Sequence, residues 1–270
     1  MATVYVNDWD EFVEAIGVSG NTVILPEEAE WNMSEIMPYG LDSNVTIACS
    51  KIDGRGTRIK NLNLMNYGFV ASGNDIKYFR NLLMTDWIGS NYFFELRNGS
   101  DWFCCAISGI TSHSCVVYNQ NSYYNSTAKF VSTSINVESS ANTFRICDSN
   151  CENLYSRIEV HAPNATNADP AGSSNTYCEM LLYVPNASGG FYSYRYKGCT
   201  VRGNMQNIAT DGSWIGNWTG QPSVYFNEMF AVAYEPRFPD NFIACTESEL
   251  KNAAYLRSLG FPIIVSNGGG

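Results

Sequence analysis

Two histidines, nine cysteines and a thin scatter of carboxylates are the residues in this sequence whose types suit chemistry. A serine nucleophile would need His113 or His161 as its base, and neither stands near a nucleophile-elbow pattern. The segment CCAISGITSHSC places Cys104, Cys105, His113 and Cys115 close together. Zinc sites usually show paired thiols two residues apart. Adjacent cysteines on a strand point to opposite faces, so these thiols read as packing. Glu95, Asp101, Asp148, Glu152 and Glu159 lie far apart in the chain. They could do acid–base work on a glycoside only if the fold set two of them across one bond; the plainer reading is solvated or Arg-paired surface acids. No P-loop or dinucleotide fingerprint occurs. The sequence therefore predicts no catalytic set, no metal site and no cofactor.

The aromatic residues are more suggestive. Trp87, Tyr92, Trp102, Tyr118, Tyr123, Tyr124, Trp214 and Trp218 fall in or beside predicted bends, with Asn and Asp nearby. Such rings suit a sugar face or a protein neighbour. Trp87, Tyr92, Trp102, Tyr123, Tyr124, Trp214 and Trp218 are the candidate glycan or partner contacts.

The elements that must position them are short. Charged residues are only 16% of the 270, below the usual quarter. Asn, Ser, Thr, Gly and Tyr must cover the surface. The net charge is −10 and no Lys/Arg run exists, so nucleic acid is not an expected partner. No run of ~18 apolar residues predicts a membrane span, and the N-terminus carries no secretory pattern. The odd number of cysteines, set singly in apolar stretches such as TIACS and FRICD, points to buried thiols made in a reducing place.

Strand-like segments recur at intervals of 20–27 residues. One family ends at Leu64, Met84, Ile110, Val137, Val160 and Val201; the last gap is close to two intervals. GFVAS, YFFEL, CVVYN, TFRIC and MLLYV make a second family between them. That rhythm predicts an all-β, single-stranded parallel β-helix (solenoid), in which each circuit buries its apolar face only by stacking on the next. In IKNLNL, Asn61 then reads as a bend-edge or outward residue. His161 to Tyr177 reads as a long loop leaving the wall, and about Gly203 to Asp240 as terminal coils with an aromatic excursion.

The ends carry helix signals. Asp8 with Glu11 makes a capping-box pattern ahead of Trp9, Phe12, Val13 and Ile16, and Gly17 or Gly20 can stop that helix. Thr246, Glu249, Gly260 and Pro262 frame a second helix over about Glu247–Leu259. Its Leu250, Ala253, Leu256 and Leu259, with Phe261 beyond, are docking candidates. The expected division is 1–240 for the capped β-helix and 241–270 for the C-terminal helix and tail.

NTVILPEEAEWNMSEI followed by NVTIACSKIDGRGTRIKNLNLMN resembles the opening of pectate-lyase-like right-handed parallel β-helices, the architecture of pectate lyases, polygalacturonases and phage tailspikes. The resemblance spans about Val4 to Val201. Polygalacturonases carry paired aspartates, Gly-His-Gly and Arg-Ile-Lys. Arg58-Ile59-Lys60 is present here without the others, and Arg237 in PRFPD only loosely resembles a lyase base. The branch this implies is a non-enzymatic structural or attachment component of a bacteriophage virion, folded in the host cytoplasm. It would contact other virion proteins and surface polysaccharide, commonly as a homotrimer. The competing expectations are a polysaccharide lyase or glycosidase, and a secreted, extracellular adhesin.

Overall fold

Alternation decides which side of each strand is buried. In the computed structural model, Ile135 and Val137 point inward and Ser134, Asn136 and Glu138 outward on the strand Ser134–Glu138. Arg157–His161 repeats the pattern, with Ile158 and Val160 inward. The structure describes residues 2–89, 92–112, 115–119, 127–147, 150–169, 174–176, 178–184, 191–192, 195–197, 199–205, 214–215, 229–233, 242–244, 247–250 and 252–258.

Among these residues the chain is mostly β, and its strands stack mostly in parallel in three sheets of nine, twelve and six strands, beside a two-stranded antiparallel pair. From Thr22 to Thr176 the chain visits the first, second and third sheets in rotation. One visit to each makes a level. Successive levels are locked in register: Ile52, Phe79, Trp102, Phe130, Asn153 and Asn175 fall in one inward file of the first sheet. Rings stack along that file, Phe79 on Trp102 at 3.8 Å between centroids and 6° between planes. The file then turns polar, and Asn153 Nδ2 donates to Asn175 Oδ1 at 2.9 Å with both side chains buried. A buried amide is tolerable only when bonded, and the ladder supplies that bond.

From the strand Lys77–Arg80 onward, the bend from first to second sheet is two residues long. Its first residue is left-handed and exposed: Asn81 (φ 49°), Cys104 (φ 52°), Ser132 (φ 49°) and Tyr155 (φ 50°). Each donates its backbone N–H to the next level, to the carbonyls of Phe103, Val131, Leu154 and Thr176. The second residue is buried: Leu82, Cys105, Thr133, Ser156 and, at a later bend, Cys178. Where it has a proton to give, it gives it to the carbonyl two residues back: Cys105 to Phe103, Thr133 to Val131, Ser156 to Leu154, Cys178 to Thr176. Buried thiols and hydroxyls therefore do the same job here.

Asn61 sits at a second bend, exposed and left-handed (φ 59°), as its place in the alternation predicts. Its Nδ2 donates to Asn32 Oδ1 one level up, at 2.9 Å. Asp86 and Gly109 continue this bend through two more levels. A Cβ on Gly109 would lie 2.5 Å from Asp86 Oδ1, so glycine is required there. The register of Ala106–Ser112 shifts between Ile107 and Ile110, and the next strand runs straight.

The opening helix, Trp9–Ile16, covers the N-terminal end of the interior. Asp8 accepts from Glu11 N–H, and the Glu11 carboxylate reaches back to Asn7 N–H. Trp9 meets Phe69 edge-on and Phe12 meets Trp31. At the other end the second sheet turns antiparallel, adding Met229–Ala233 and Phe242–Ala244.

Three expectations are corrected. The loop expected from His161 to Tyr177 is another level: Asn167–Asp169 joins the third sheet, Ser174–Thr176 the first, and Ala162 and Ala165 are fully buried. MLLYV belongs to the second sheet rather than with GFVAS, YFFEL, CVVYN and TFRIC in the third. The single C-terminal helix is two, Glu247–Leu250 and Ala253–Ser258, because Asn252 Oδ1 caps the backbone N–H groups of Ala254 and Tyr255.

Candidate functional site

Parallel strands in register turn outward residues into a grid. On the second sheet, Ser134, Arg157 and Glu179 form one file, Asn136, Glu159 and Leu181 the next, and Glu138, His161 and Tyr183 the third. Each stands opposite an inward apolar neighbour, Ile135, Val137, Ile158, Val160 or Met180, so the strands that carry the grid are anchored by the core. His161 and Tyr183 stack at 4.7 Å and 18°. Arg157 reaches Glu159 on its own strand at 3.5 Å and Glu179 on the next at 3.8 Å. Exposed pairs of this kind add little to stability; they fix the positions of the groups that make them. Glu138 and Glu159 lie diagonally on adjacent strands, with Cα atoms about 8 Å apart from the strand spacing and rise.

This face can do three things. The stacked His161 and Tyr183 rings offer their edges and outer faces to the C–H face of a sugar. The surrounding carboxylates, guanidinium and amide bond hydroxyls. Arg157 pairs with both Glu159 and Glu179, leaving the trio one negative charge, while Glu138 stands beside the His161 ring in register.

The candidates named from sequence divide into five groups. Trp87 is 1% and Trp102 0% exposed. Trp87 Nε1 donates to Ile59 O at 2.8 Å, and Trp102 Nε1 to Ser100 Oγ at 2.8 Å. Both are core residues and do not reach a ligand: the flanking bends tuck the rings into the stack of aromatics. Tyr92 is half-buried on the third sheet and stacks on Tyr118 at 4.3 Å and 11°. Trp214 stands on the short strand Trp214–Ile215, antiparallel to Phe191–Tyr192. Tyr123, Tyr124 and Trp218 lie outside the described residues, as do His113, Asp148, Arg237, Leu259 and Phe261. Leu250 ends one C-terminal helix, Leu256 lies on the other, and Ala253 is exposed.

Other sequence features resolve into structure. Ile59 of Arg58-Ile59-Lys60 is buried; Lys60 and Arg58 pair with Glu30 one level up, and the Lys60 hydrogen bond above all pulls the Glu30 carboxyl below its ordinary range. Cys104 faces out and Cys105 in. Burial pushes the Cys105 thiol up to about 12 and that of Cys49 up to about 11. Asp101 and Glu152 flank Lys129 on successive levels. The His161–Tyr183 pair was missed because the two residues are far apart in sequence and only register brings them together. The signal was present: both sit on the outward parity of strands whose inward residues are plainly apolar.

Compared with family models, curated proteins and solved structures, the chain matches none.

Proposed function

We propose that the rotation of the chain through three sheets winds it into a pectate-lyase-like parallel β-helix, and that the protein is a non-enzymatic attachment or structural component of a bacteriophage particle. It binds a surface polysaccharide through the grid on its second sheet. The His161–Tyr183 stack, held on core-anchored strands among groups that bond hydroxyls, carries the glycan part of this reading. The thiols support the place of folding. Among the described residues Cys49, Cys104 and Cys105 are free thiols, and Cys49 and Cys105 are buried, which suits synthesis in a host cytosol. Placing the protein on a virion rests on likeness of architecture.

Titration with bacterial surface polysaccharides tests it. Tyr183→Ala and His161→Ala should each weaken binding about tenfold, in line with the loss of one aromatic contact, while leaving the melting transition in place. Binding that is unchanged in both variants would remove the grid from the reading. The diagonal of Glu138 and Glu159 favours a second reading, a lyase or glycosidase. Release of new reducing ends that disappears in Glu138→Gln would establish it instead.

A further inference from the structure

The outward face of the first sheet treats its charges differently. On the second sheet, Arg157, Glu159 and Glu179 are joined in ion pairs. On the first, Asp101, Lys129 and Glu152 alternate in sign on three successive strands, in direct register. None of the three side chains makes an ion pair with a described residue, although Lys129 stands in register between the two carboxylates. Beside them runs an apolar file, Phe103, Val131 and Leu154, in which Phe103 is 45% exposed. Apolar area next to unspent charge, on a flat face of parallel strands, is the composition of an association surface.

We infer that this face binds a second copy of the same chain, with the two stacks running in opposite directions. The order of charges selects both the partner and the direction. Two copies meeting face to face through the same patch need a two-fold axis in the plane of contact. An axis along the stack sets level on level and puts Lys129 against Lys129 of the other copy. An axis along the strands, passing between the levels of Asp101 and Lys129, reverses the order. Asp101 of each copy then faces Lys129 of the other, Phe103 faces Val131, and Tyr78 faces Glu152. The charges of Asp101 and Lys129 are answered, Glu152 meets the Tyr78 phenol, and Phe103 and Val131 coincide, while Arg80, next in the Phe103 file and stacked on its ring, faces Leu154. Stacks that run the same way, as in a parallel trimer, do not achieve this. The inference rests on the first sheet alone and is independent of the glycan reading, which concerns the second.

Sedimentation equilibrium of the full chain at low salt tests it. A dimer is expected, weakened as added salt screens the pairs. Lys129→Glu should weaken it by about tenfold or more, since like charges are then set together. Asp101→Lys combined with Lys129→Glu should recover much of the loss, because opposite charges again face each other. A structural defect would not be rescued in this way, and melting curves of each variant at low concentration verify folding. Phe103→Asp should weaken the dimer without rescue by either charge change. A monomer at all concentrations, a trimer, or a dimer indifferent to Lys129→Glu would overturn the proposal. Loss of polysaccharide binding with the dimer intact would count against the second-sheet site only.

Discussion

At the scale of single residues, buried donors carry much of the specificity. Ser156 Oγ accepts from Thr133 N–H at 3.2 Å and shares its proton between the carbonyls of Phe130 and Leu154. Ser156→Ala should cost about 1–3 kcal/mol, the price of a buried backbone N–H left without a partner, read by urea denaturation. Trp102→Ala should cost about 3–5 kcal/mol by opening a cavity between Phe79 and Phe130. The thiols predict a pH dependence. A folded-state pKa raised above the unfolded value means that the unfolded chain loses its proton first. The stability held below pH ~9 is then lost as pH rises toward about 11 for Cys49 and about 12 for Cys105. Melting temperature should fall over that window, and the difference from Cys105→Ala isolates the contribution of that thiol. Alkylation of the native protein at mild pH should label exposed Cys104 and spare both.

At the scale of elements, the legibility of the sequence follows from where the deciding contacts lie. The opening helix could be read because its cap and its apolar face are local: Asp8, Glu11, Trp9 and Phe12 all lie within five residues. Four strands of the third sheet could be read from their aliphatic and aromatic runs. The level from Ala162 to Thr176 could not, because its inward positions are filled by Ala162, Ala165 and Asn175, small or polar residues that resemble a loop. Their fit depends on neighbours one level away. The break at Asn252 was hidden by good helix formers on both sides, although asparagine at a first-turn position is itself a cap signal. For the candidate site, Trp87 and Trp102 looked like outward bend residues and are core: Trp87 is the buried second residue of a two-residue bend, and Trp102 holds an inward position within the strand Gly99–Phe103. The left-handed bends also make a prediction against intuition. Ser132→Gly removes a side chain from a φ of 49° and should leave stability unchanged or raise it by up to about 1 kcal/mol. Gly54→Ala, whose Cβ would lie 2.6 Å from Asn81 O, should destabilise by more than that.

At the scale of the whole molecule, the stack has two ends and they are finished differently. The N-terminal end is closed by the opening helix, and the second sheet closes by reversing strand direction at Met229–Ala233. Trp9 and Phe12 therefore stand between the interior and water. Trp9→Ala with Phe12→Ala should lower stability by several kcal/mol and raise binding of a hydrophobic dye, measured together in one thermal scan. A scan showing neither change would mean that the end is sealed by something other than this helix.

The outward file of Asn81, Cys104, Ser132 and Tyr155 already holds an amide, a thiol, a hydroxyl and a phenol in one backbone geometry. Chemistry at that corner is thus decoupled from folding. Four sockets in a straight row, about 4.8 Å apart as strand spacing dictates, can be rewritten one at a time: a ruler on which charges, dyes or chelators would be displayed at fixed intervals without disturbing what lies beneath.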